Sequence, residues 1–250
     1  MYRNVAELVT PPRAPRYEMQ VLDVKQSRAL LRAADGDRLE ALYVLALTTG
    51  MRQGELLALR WRDVDFQSAA LSVRGSLSRS SAGLTVVEPK TAGSRRHIPL
   101  GTIAVDALRR HRVSQAAERL LRGPGWMDND LVFANEVGKP IEASNLRRRS
   151  FEPLLKKAGV PRIRFHDLRH SAATLLLSQG SHPKVVSERL GHSRVSITLD
   201  LYSHVTPTLQ REAALAFDAL MAGAANPRRS ERVPGQADQA SEGVASKMTR

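Results

Sequence analysis

The chain has 250 residues, 42% of them hydrophobic, and its 38 Lys and Arg outnumber its 25 Asp and Glu to give a net charge of +13. This hydrophobic content suffices for a sizeable core and excludes a wholly disordered chain, while the basic excess indicates a polyanionic partner, most commonly nucleic acid, with ribosomal or membrane-surface binding as alternatives. The sequence contains no cysteine, which excludes disulfides, zinc fingers, iron–sulfur ligation and a thiol nucleophile.

The two ends of the chain differ in composition from the rest. Residues 1–17 are basic and rich in proline, which predicts an extended linker, and residues 226–250 lack apolar periodicity, which predicts a disordered tail. The tail carries five basic and three acidic residues, so 13 − 2 = 11 of the net positive charges belong to the remaining chain. No apolar run is typical of a transmembrane helix or a signal peptide, and we expect one folded domain over residues 18–225.

The first part of this domain is predicted to be helical. Asp23 and Gln26 have the spacing of a capping box, which predicts a helix through Ala33. Residues 39–47 are almost all apolar, so they predict a buried helix that ends at a glycine C-cap, Gly50. A further helix is predicted over 52–61.

Short β-prone runs separated by Gly and Ser follow at 63–66, 71–74, 84–87 and 96–100, and they predict a small antiparallel sheet. Further helices are predicted over 102–122, 144–158, 166–179, 183–190 and 208–221. The pattern as a whole predicts a mainly α (α+β) fold, in which one helical domain carries a small antiparallel sheet or hairpin insertion.

Five separated motifs contain residues suited to phosphate chemistry. They are Thr49–Glu55 with Arg52, Glu88–Thr91 with Lys90, His166–His170 with His166 and Arg169, Leu190–Ser193 with His192, and Leu201–Val205 with Tyr202. Each motif is weak alone, because a His and an Arg three residues apart on a helix are usually a solvated pair. In this order and context, however, the set resembles the catalytic residues of the tyrosine recombinase (phage integrase) family: Arg, Lys, His-x-x-Arg, His or Trp, and a nucleophilic Tyr. The resemblance extends from about Thr10 to Met221.

The resemblance implies a helical catalytic domain that cleaves and rejoins DNA strands through a 3′-phosphotyrosyl intermediate. Tyr202 would be the nucleophile, His166 its proton acceptor or hydrogen-bond partner, Lys90 the donor of a proton to the departing 5′ oxygen, and His192 a hydrogen-bond partner of a non-bridging oxygen. Two permanently charged guanidiniums, on Arg52 and Arg169, can meet the charge that develops on the phosphate. No acidic cluster has metal-ligand spacing, so we expect neither a metal nor any other cofactor.

The resemblance also implies partners. Family members generally carry a core-binding domain before the catalytic domain; we expect this chain to lack it and residues 1–17 to be the remnant of an inter-domain linker. Expected partners are double-stranded DNA at an attachment or recombination site, further copies of the chain, and accessory DNA-bending or directionality proteins. We expect a tetramer on DNA and a monomer without it, located with the nucleoid in the cytoplasm and free of membranes. The predicted helix over 208–221 would dock either on a neighbouring protomer or on its own core.

Two other functions fit the sequence, namely a type IB topoisomerase-like nicking and closing activity and a catalytically silent DNA-binding module. Glu55 is expected to orient an arginine or to be a simple exposed acid, and His170 and His204 to be structural or supporting. The remaining basic residues are expected to divide, roughly half and half, between a solvated face and DNA contacts. They are Arg60, Arg62, Arg74, Arg79, Arg95, Arg96, Arg147, Arg148, Arg149, Lys156, Lys157 and Arg164.

Overall fold

The computed structural model describes residues 19–80, 83–87, 95–192 and 194–202, together with 214, 215, 217, 218 and 221. Residues 200–202 are described by their backbone alone. The chain divides into two compact units, Met1–Val205 and Thr206–Arg250. The five described residues of the second unit are helical and fall within the helix predicted over 208–221. The predicted linker over 1–17 and the predicted tail over 226–250 lie outside the described residues.

The first two helices form as predicted. Helix α1 spans Val24–Ala34, and its capping box is present: Asp23 Oδ1 accepts from the Gln26 amide at 2.7 Å, and Gln26 Oε1 accepts from the Asp23 amide at 3.0 Å. Helix α2 spans Glu40–Thr49 and is buried over most of its length. It ends at Gly50, whose φ of 65° is left-handed, so the chain turns sharply where a buried helix stops.

The third helix is shorter than predicted. In place of one helix over 52–61, α3 spans Gln53–Leu57, and a separate 3-10 turn follows at Trp61–Asp63. The chain leaves the helix because its backbone pairs with a distant segment: the Leu59 carbonyl accepts a 2.8 Å hydrogen bond from the amide of Val132. This long-range pairing replaces the helical hydrogen bonds that the local pattern favours.

Two antiparallel sheets form where one was predicted. Strands β1 (Val64–Asp65), β2 (Ala70–Val73) and β5 (Arg96–Pro99) make a three-stranded sheet in the order β1-β2-β5, whereas β3 (Ser76–Ser80) and β4 (Gly83–Val87) make a separate hairpin. The serine-rich β3 has no apolar alternation, which explains why the sequence did not predict it. The hairpin lies against α3. A side chain at Gly54 would crowd it, because a Cβ there would lie 3.0 Å from the carbonyl oxygen of Leu77.

The second half of the unit is helical. Helix α4 (Thr102–Arg122) is followed by a 3-10 turn (Gly123–Gly125), and the predicted helix over 144–158 consists of α5 (Ala143–Leu146), a π-helical turn (Arg147–Phe151) and α6 (Glu152–Ala158). The last three described helices of this unit are α7 (Asp167–Ser178), α8 (Pro183–Leu190) and α9 (Val195–Tyr202). Helix α9 was not predicted.

The main core brings together α1, α2, the three-stranded sheet, α4, α6 and the start of α7. A smaller apolar cluster, built on Ala173, Leu177, Val186 and Leu190, joins α7 to α8. The two clusters hold the C-terminal end of α2, the N-terminal ends of α3 and α7 and the C-terminal end of α8 close together. None of the helices in the described ranges is long and apolar enough to cross a membrane.

Candidate active site

Three of the predicted motifs meet at the ends of four helices. Arg169, in the first turn of α7, donates from Nη1 to the carbonyl oxygens of Gly50 and Leu190, both at 2.8 Å. Arg52, the residue before α3, donates from Nη2 to the carbonyl oxygen of Gly191 at 3.0 Å. Carbonyls at the C-terminal end of a helix lack intrahelical partners and carry partial negative charge, so they bind the guanidiniums well. We call this group of helix ends the arginine junction.

Arg169 is the buried cation of the arginine junction. It is 3% exposed, and its Nη2 has no hydrogen-bond partner among the described residues. Burial, followed by the charge of Arg52, lowers the pKa of Arg169 to about 9 against the opposing charge of Glu55. The guanidinium therefore stays charged at neutral pH and keeps a donor free for an anionic acceptor.

Arg52 is the more accessible cation, with 40% of its side chain exposed. Glu55, whose side chain is 6% exposed, accepts from Arg52 Nη1 at 2.9 Å through Oε1 and from the Arg52 backbone amide at 2.9 Å through Oε2. Burial alone would raise the pKa of Glu55, but the hydrogen bonds and charges of Arg96 and Arg52 outweigh it and hold the pKa below its usual value. Of the two roles that the sequence left open for Glu55, the structure confirms arginine orientation over an exposed acid.

Arg96 was missed as a member of this site. The sequence places it among basic residues expected to face solvent or DNA, whereas its side chain is 7% exposed and ion-paired to Glu55. Its burial depends on a carboxylate 41 residues earlier in the chain, so no local pattern distinguishes it from its neighbour Arg95.

The histidines of α7 lie beside the arginine junction. The rings of His166 and His170 are 4.9 Å apart and nearly perpendicular, at 80°. Desolvation lowers the pKa of His166, and the charge of Arg169 adds to this effect. Burial lowers the pKa of His170 to about 4, with a further contribution from His166. Both rings are therefore neutral at pH 7, and a neutral imidazole can accept a proton.

His192 follows the left-handed turn at Gly191 and is held from one side. Its Nδ1 lies 2.8 Å from Oγ1 of Thr198, which is fully buried on α9. Burial is the largest cause, and the charges of Arg169 and Arg52 are the next, of a lowered pKa of about 4 for His192. Because Nδ1 is engaged with Thr198, only Nε2 of this neutral ring is left for another partner.

Four of the six predicted site residues are thus brought together: Arg52, His166, Arg169 and His192. The other two cannot be described in the same way. Lys90 lies outside the described residues and falls, by chain order, between β4 and β5. Tyr202 is described by its backbone only, as the last residue of α9. Thr198 was not predicted, because its contact with His192 depends on α9, a helix that the β-branched residues of this segment do not indicate. Within the described ranges, no three His, Asp or Glu side chains are grouped so that they could hold a metal ion.

Comparison with known proteins identifies the family. The sequence profile described as the Phage integrase family matches residues 20–208. The chain belongs to the phage integrase family. This membership confirms the resemblance that the sequence motifs indicated, and the helical fold with small antiparallel sheets is the one predicted.

Relatives of this phage integrase family member include a tyrosine recombinase XerC-like protein of Caldanaerobacter subterraneus subsp. tengcongensis, 36% identical over 228 residues, which cover 84% of this chain and 57% of the relative. An integrase of Streptomyces ambofaciens is 34% identical, over 85% of this chain and 57% of the relative. The chain therefore spans little more than half the length of these relatives.

Solved structures give the same assignment. The XerA recombinase is similar with a TM-score of 0.61 and 28% identity, over 82% of this chain and 65% of that one. The Tn1549 transposon integrase, solved in complex with circular intermediate DNA, is similar with a TM-score of 0.66 and 25% identity, over 85% of this chain and 70% of that one.

Proposed function

We propose that residues 18–225 form the catalytic domain of a site-specific DNA recombinase that cleaves and rejoins strands through a 3′-phosphotyrosyl intermediate. The observation that carries the proposal is the arginine junction itself. It holds a buried guanidinium with an N–H that has no partner in the described part of the chain, an accessible guanidinium, and two neutral imidazoles close enough for the arginine charges to lower their pKa values. This combination suits one tetrahedral phosphate.

In the cleavage step, Arg52 and Arg169 would bind the non-bridging oxygens of the scissile phosphate. Attack makes phosphorus five-coordinate and adds negative charge to these oxygens, so cations fixed in advance stabilise the transition state more than the substrate. The Nη2 of Arg169 supplies a donor that needs no rearrangement. His192 would donate from Nε2 to the same oxygens, because Thr198 occupies Nδ1.

Proton transfers complete the step. The phenolic oxygen of Tyr202 forms the new bond to phosphorus, its proton passes to His166, and the bond from phosphorus to the 5′ oxygen breaks as Lys90 gives that oxygen a proton. The 3′-phosphotyrosyl ester conserves the bond energy, so a 5′ hydroxyl of another strand can attack it and release Tyr202 without ATP. This chain's own side chains supply every group in the scheme.

The proposed partners follow from this activity. The substrate is double-stranded DNA, which is supported by the DNA complex of the similar Tn1549 integrase. Exchange of strands between two duplexes requires several copies of the chain, for which we propose a tetramer on DNA and a monomer in its absence, with DNA-bending or directionality proteins as further partners. We also propose that residues 1–17 are linker, that 226–250 are a disordered tail, and that the protein works with the nucleoid in the cytoplasm.

Covalent trapping tests the proposal. The chain and its Tyr202→Phe variant are incubated, with a chelator present, with a pool of nicked suicide duplexes drawn from candidate junctions, and protein-linked DNA is isolated and sequenced. A 3′ adduct on Tyr202 with enrichment of one duplex supports the proposal. Adducts without sequence preference, together with relaxation of any supercoiled plasmid, would instead indicate the topoisomerase-like activity. DNA binding without an adduct, even after a core-binding domain from a relative is joined before the chain, would leave only a DNA-binding module.

A further inference from the structure

Arg96 is buried beside the arginine junction, where it contacts Glu55 and the C-terminal end of α8. It is the first residue of β5, and three of its nitrogens donate hydrogen bonds to two other elements. We propose that Arg96 is a positioning residue, which fixes Arg52 and the turn that carries His192 in the arrangement that binds the scissile phosphate. The proposal rests on the recombinase function proposed above.

Arg96 and Arg52 both bind the carboxylate of Glu55. Arg96 binds both carboxylate oxygens, with Nη2 at 2.8 Å from Oε2 and Nη1 at 3.1 Å from Oε1, while Arg52 Nη1 lies 2.9 Å from the same Oε1. A bidentate pair fixes the plane of a carboxylate as well as its position. Arg96 therefore determines the direction from which Glu55 holds Arg52.

Arg96 also contacts the C-terminal end of α8. Arg96 Nε donates to the carbonyl oxygen of Arg189 at 2.8 Å. Its guanidinium also lies against Gly191, where an added Cβ would be 2.8 Å from Arg96 Nη1. Gly191 in turn accepts from Arg52 and precedes His192. One buried side chain thus touches both the carboxylate and the turn that hold Arg52.

Arg96 also contributes to the positive charge around Glu55. Arg52, Arg96 and Arg169 are arranged around one buried acid, Glu55, so the group carries 3 − 1 = +2. Without Arg96, Glu55 would have Arg52 as its remaining ion-pair partner among the described residues and would draw on a guanidinium that the phosphate needs.

An ion pair can be merely structural, and the chain contains a control with the same pattern of hydrogen bonds in a more exposed setting: the side chains of Arg38 and Glu118 are 31% and 30% exposed, against 7% and 6% for Arg96 and Glu55. Arg38 binds both oxygens of Glu118 at 2.7 Å and the carbonyl oxygen of Ala134 at 3.0 Å, which is the same pattern of contacts, but none of them belongs to the arginine junction. Arg38→Met and Arg96→Met therefore remove equivalent hydrogen bonds. They should differ in cleavage if Arg96 positions the site.

The experiment measures the single-turnover rate of adduct formation with the duplex recovered by trapping, in the full chain and each variant. We expect Arg96→Met to lower the rate by roughly 100-fold, the usual effect of a displacement of about 1 Å at a reacting centre, with DNA affinity unchanged. Arg38→Met should lower the melting temperature and keep the wild-type rate. In Arg96→Lys, which keeps the charge but not the bidentate contact, part of the rate should return.

A methylphosphonate at the scissile position separates positioning from general damage. One charged oxygen is replaced by a methyl group, so the cations have less charge to meet, and the difference between wild type and Arg96→Met should shrink at least tenfold. In an Arg52→Ala background, Arg96→Met should add little, because both changes remove the same interaction. Equal losses on both substrates, or full additivity with Arg52→Ala, would overturn the role of Arg96. A wild-type chain that forms no adduct would instead contradict the recombinase function, and the role of Arg96 with it.

Discussion

The domain buries polar side chains together in two regions, one around His111 on α4 and one at the arginine junction. Around His111, Nε2 of the histidine and Nε2 of Gln115 both contact the carbonyl oxygen of Val132, at 2.7 and 2.9 Å. Gln115 Oε1 accepts from the indole of Trp61 at 2.7 Å, and the His111 ring packs against Trp61 and Phe133 at centroid distances of 6.1 and 5.2 Å. Among the described residues, no buried side-chain nitrogen or oxygen of this region lacks a hydrogen-bond partner, and in this sense we call it the closed region.

The arginine junction is built differently. Among the described residues, three buried side-chain atoms lack a hydrogen-bond partner, and two of them, Arg169 Nη2 and Arg189 Nε, belong to the junction or its edge. A protein interior normally satisfies its buried polar groups, because each unpaired group costs about 1–3 kcal/mol and a charged one costs more. We infer from this difference that the His111 region serves the fold, whereas the free donor of the arginine junction is available to the phosphate of the proposed reaction.

The largest expected effect on the difference between the two regions is that of Arg169→Met. The change removes the buried cation and its free donor, and we expect adduct formation to fall by about 1,000-fold or more, as when a preorganised donor to a developing charge is lost. His111→Gln, in the closed region, should keep the wild-type rate. Both variants are assayed in parallel by adduct formation and thermal unfolding. Similar rate losses in both would remove the functional distinction between the two regions.

The pH dependence of cleavage sharpens the same contrast. Because the pKa of His166 is lowered, the neutral base is present at pH 7, and the rate should fall by about tenfold per pH unit only below the ordinary imidazole value of about 6.5. His166→Gln should abolish this acidic limb and lower the plateau. A limb centred above pH 6.5, or one retained in the variant, would assign the proton acceptor to another group.

A smaller effect is expected at Thr198. Thr198→Val keeps the shape of the side chain but removes the 2.8 Å partner of His192 Nδ1, and the rate should drop about tenfold, the worth of one hydrogen bond. Thr198→Ser should restore most of it. If Val and Ser variants behave alike, the hydroxyl does not orient His192.

The smallest effect concerns stability in the closed region. Burial lowers the pKa of His111 in the folded state, so between that pKa and the unfolded value of about 6.5 the unfolded chain binds more protons. Stability should therefore be complete above about pH 6.5 and decrease as the pH falls below it. The loss between pH 7.5 and 5 should be greater in wild type than in His111→Gln, as measured by urea unfolding. An equal loss would place the acid sensitivity elsewhere.

The sequence predicted those elements that local signals define. The capping box of α1, the apolar run of α2 with its left-handed Gly50, and α8 between Pro183 and Gly191 all form as expected, because caps and helix-ending glycines act over a few residues. Likewise the six residues of the family motif were available in the sequence, and four of them meet in the structure.

Elements that depend on distant contacts could not be predicted. Helix α9 contains β-branched Val195, Ile197 and Thr198, which favour strands, and it is held in place by packing against α7 and α8. The early end of α3 depends on pairing with residues around Val132, and the burial of Arg96 depends on Glu55. In each case a partner far along the chain decides the outcome.

The most direct test of the central claim is a map of the covalent adduct in wild type and Arg169→Met under chelating conditions. Mass spectrometry of the digested protein–DNA complex identifies the modified residue and the DNA end attached to it. We predict that Tyr202 of the wild type carries a nucleotide joined through its 3′ phosphate, and that this adduct is almost completely lost in Arg169→Met. An adduct on another residue, a requirement for added metal, or an undiminished yield without Arg169 would contradict the account.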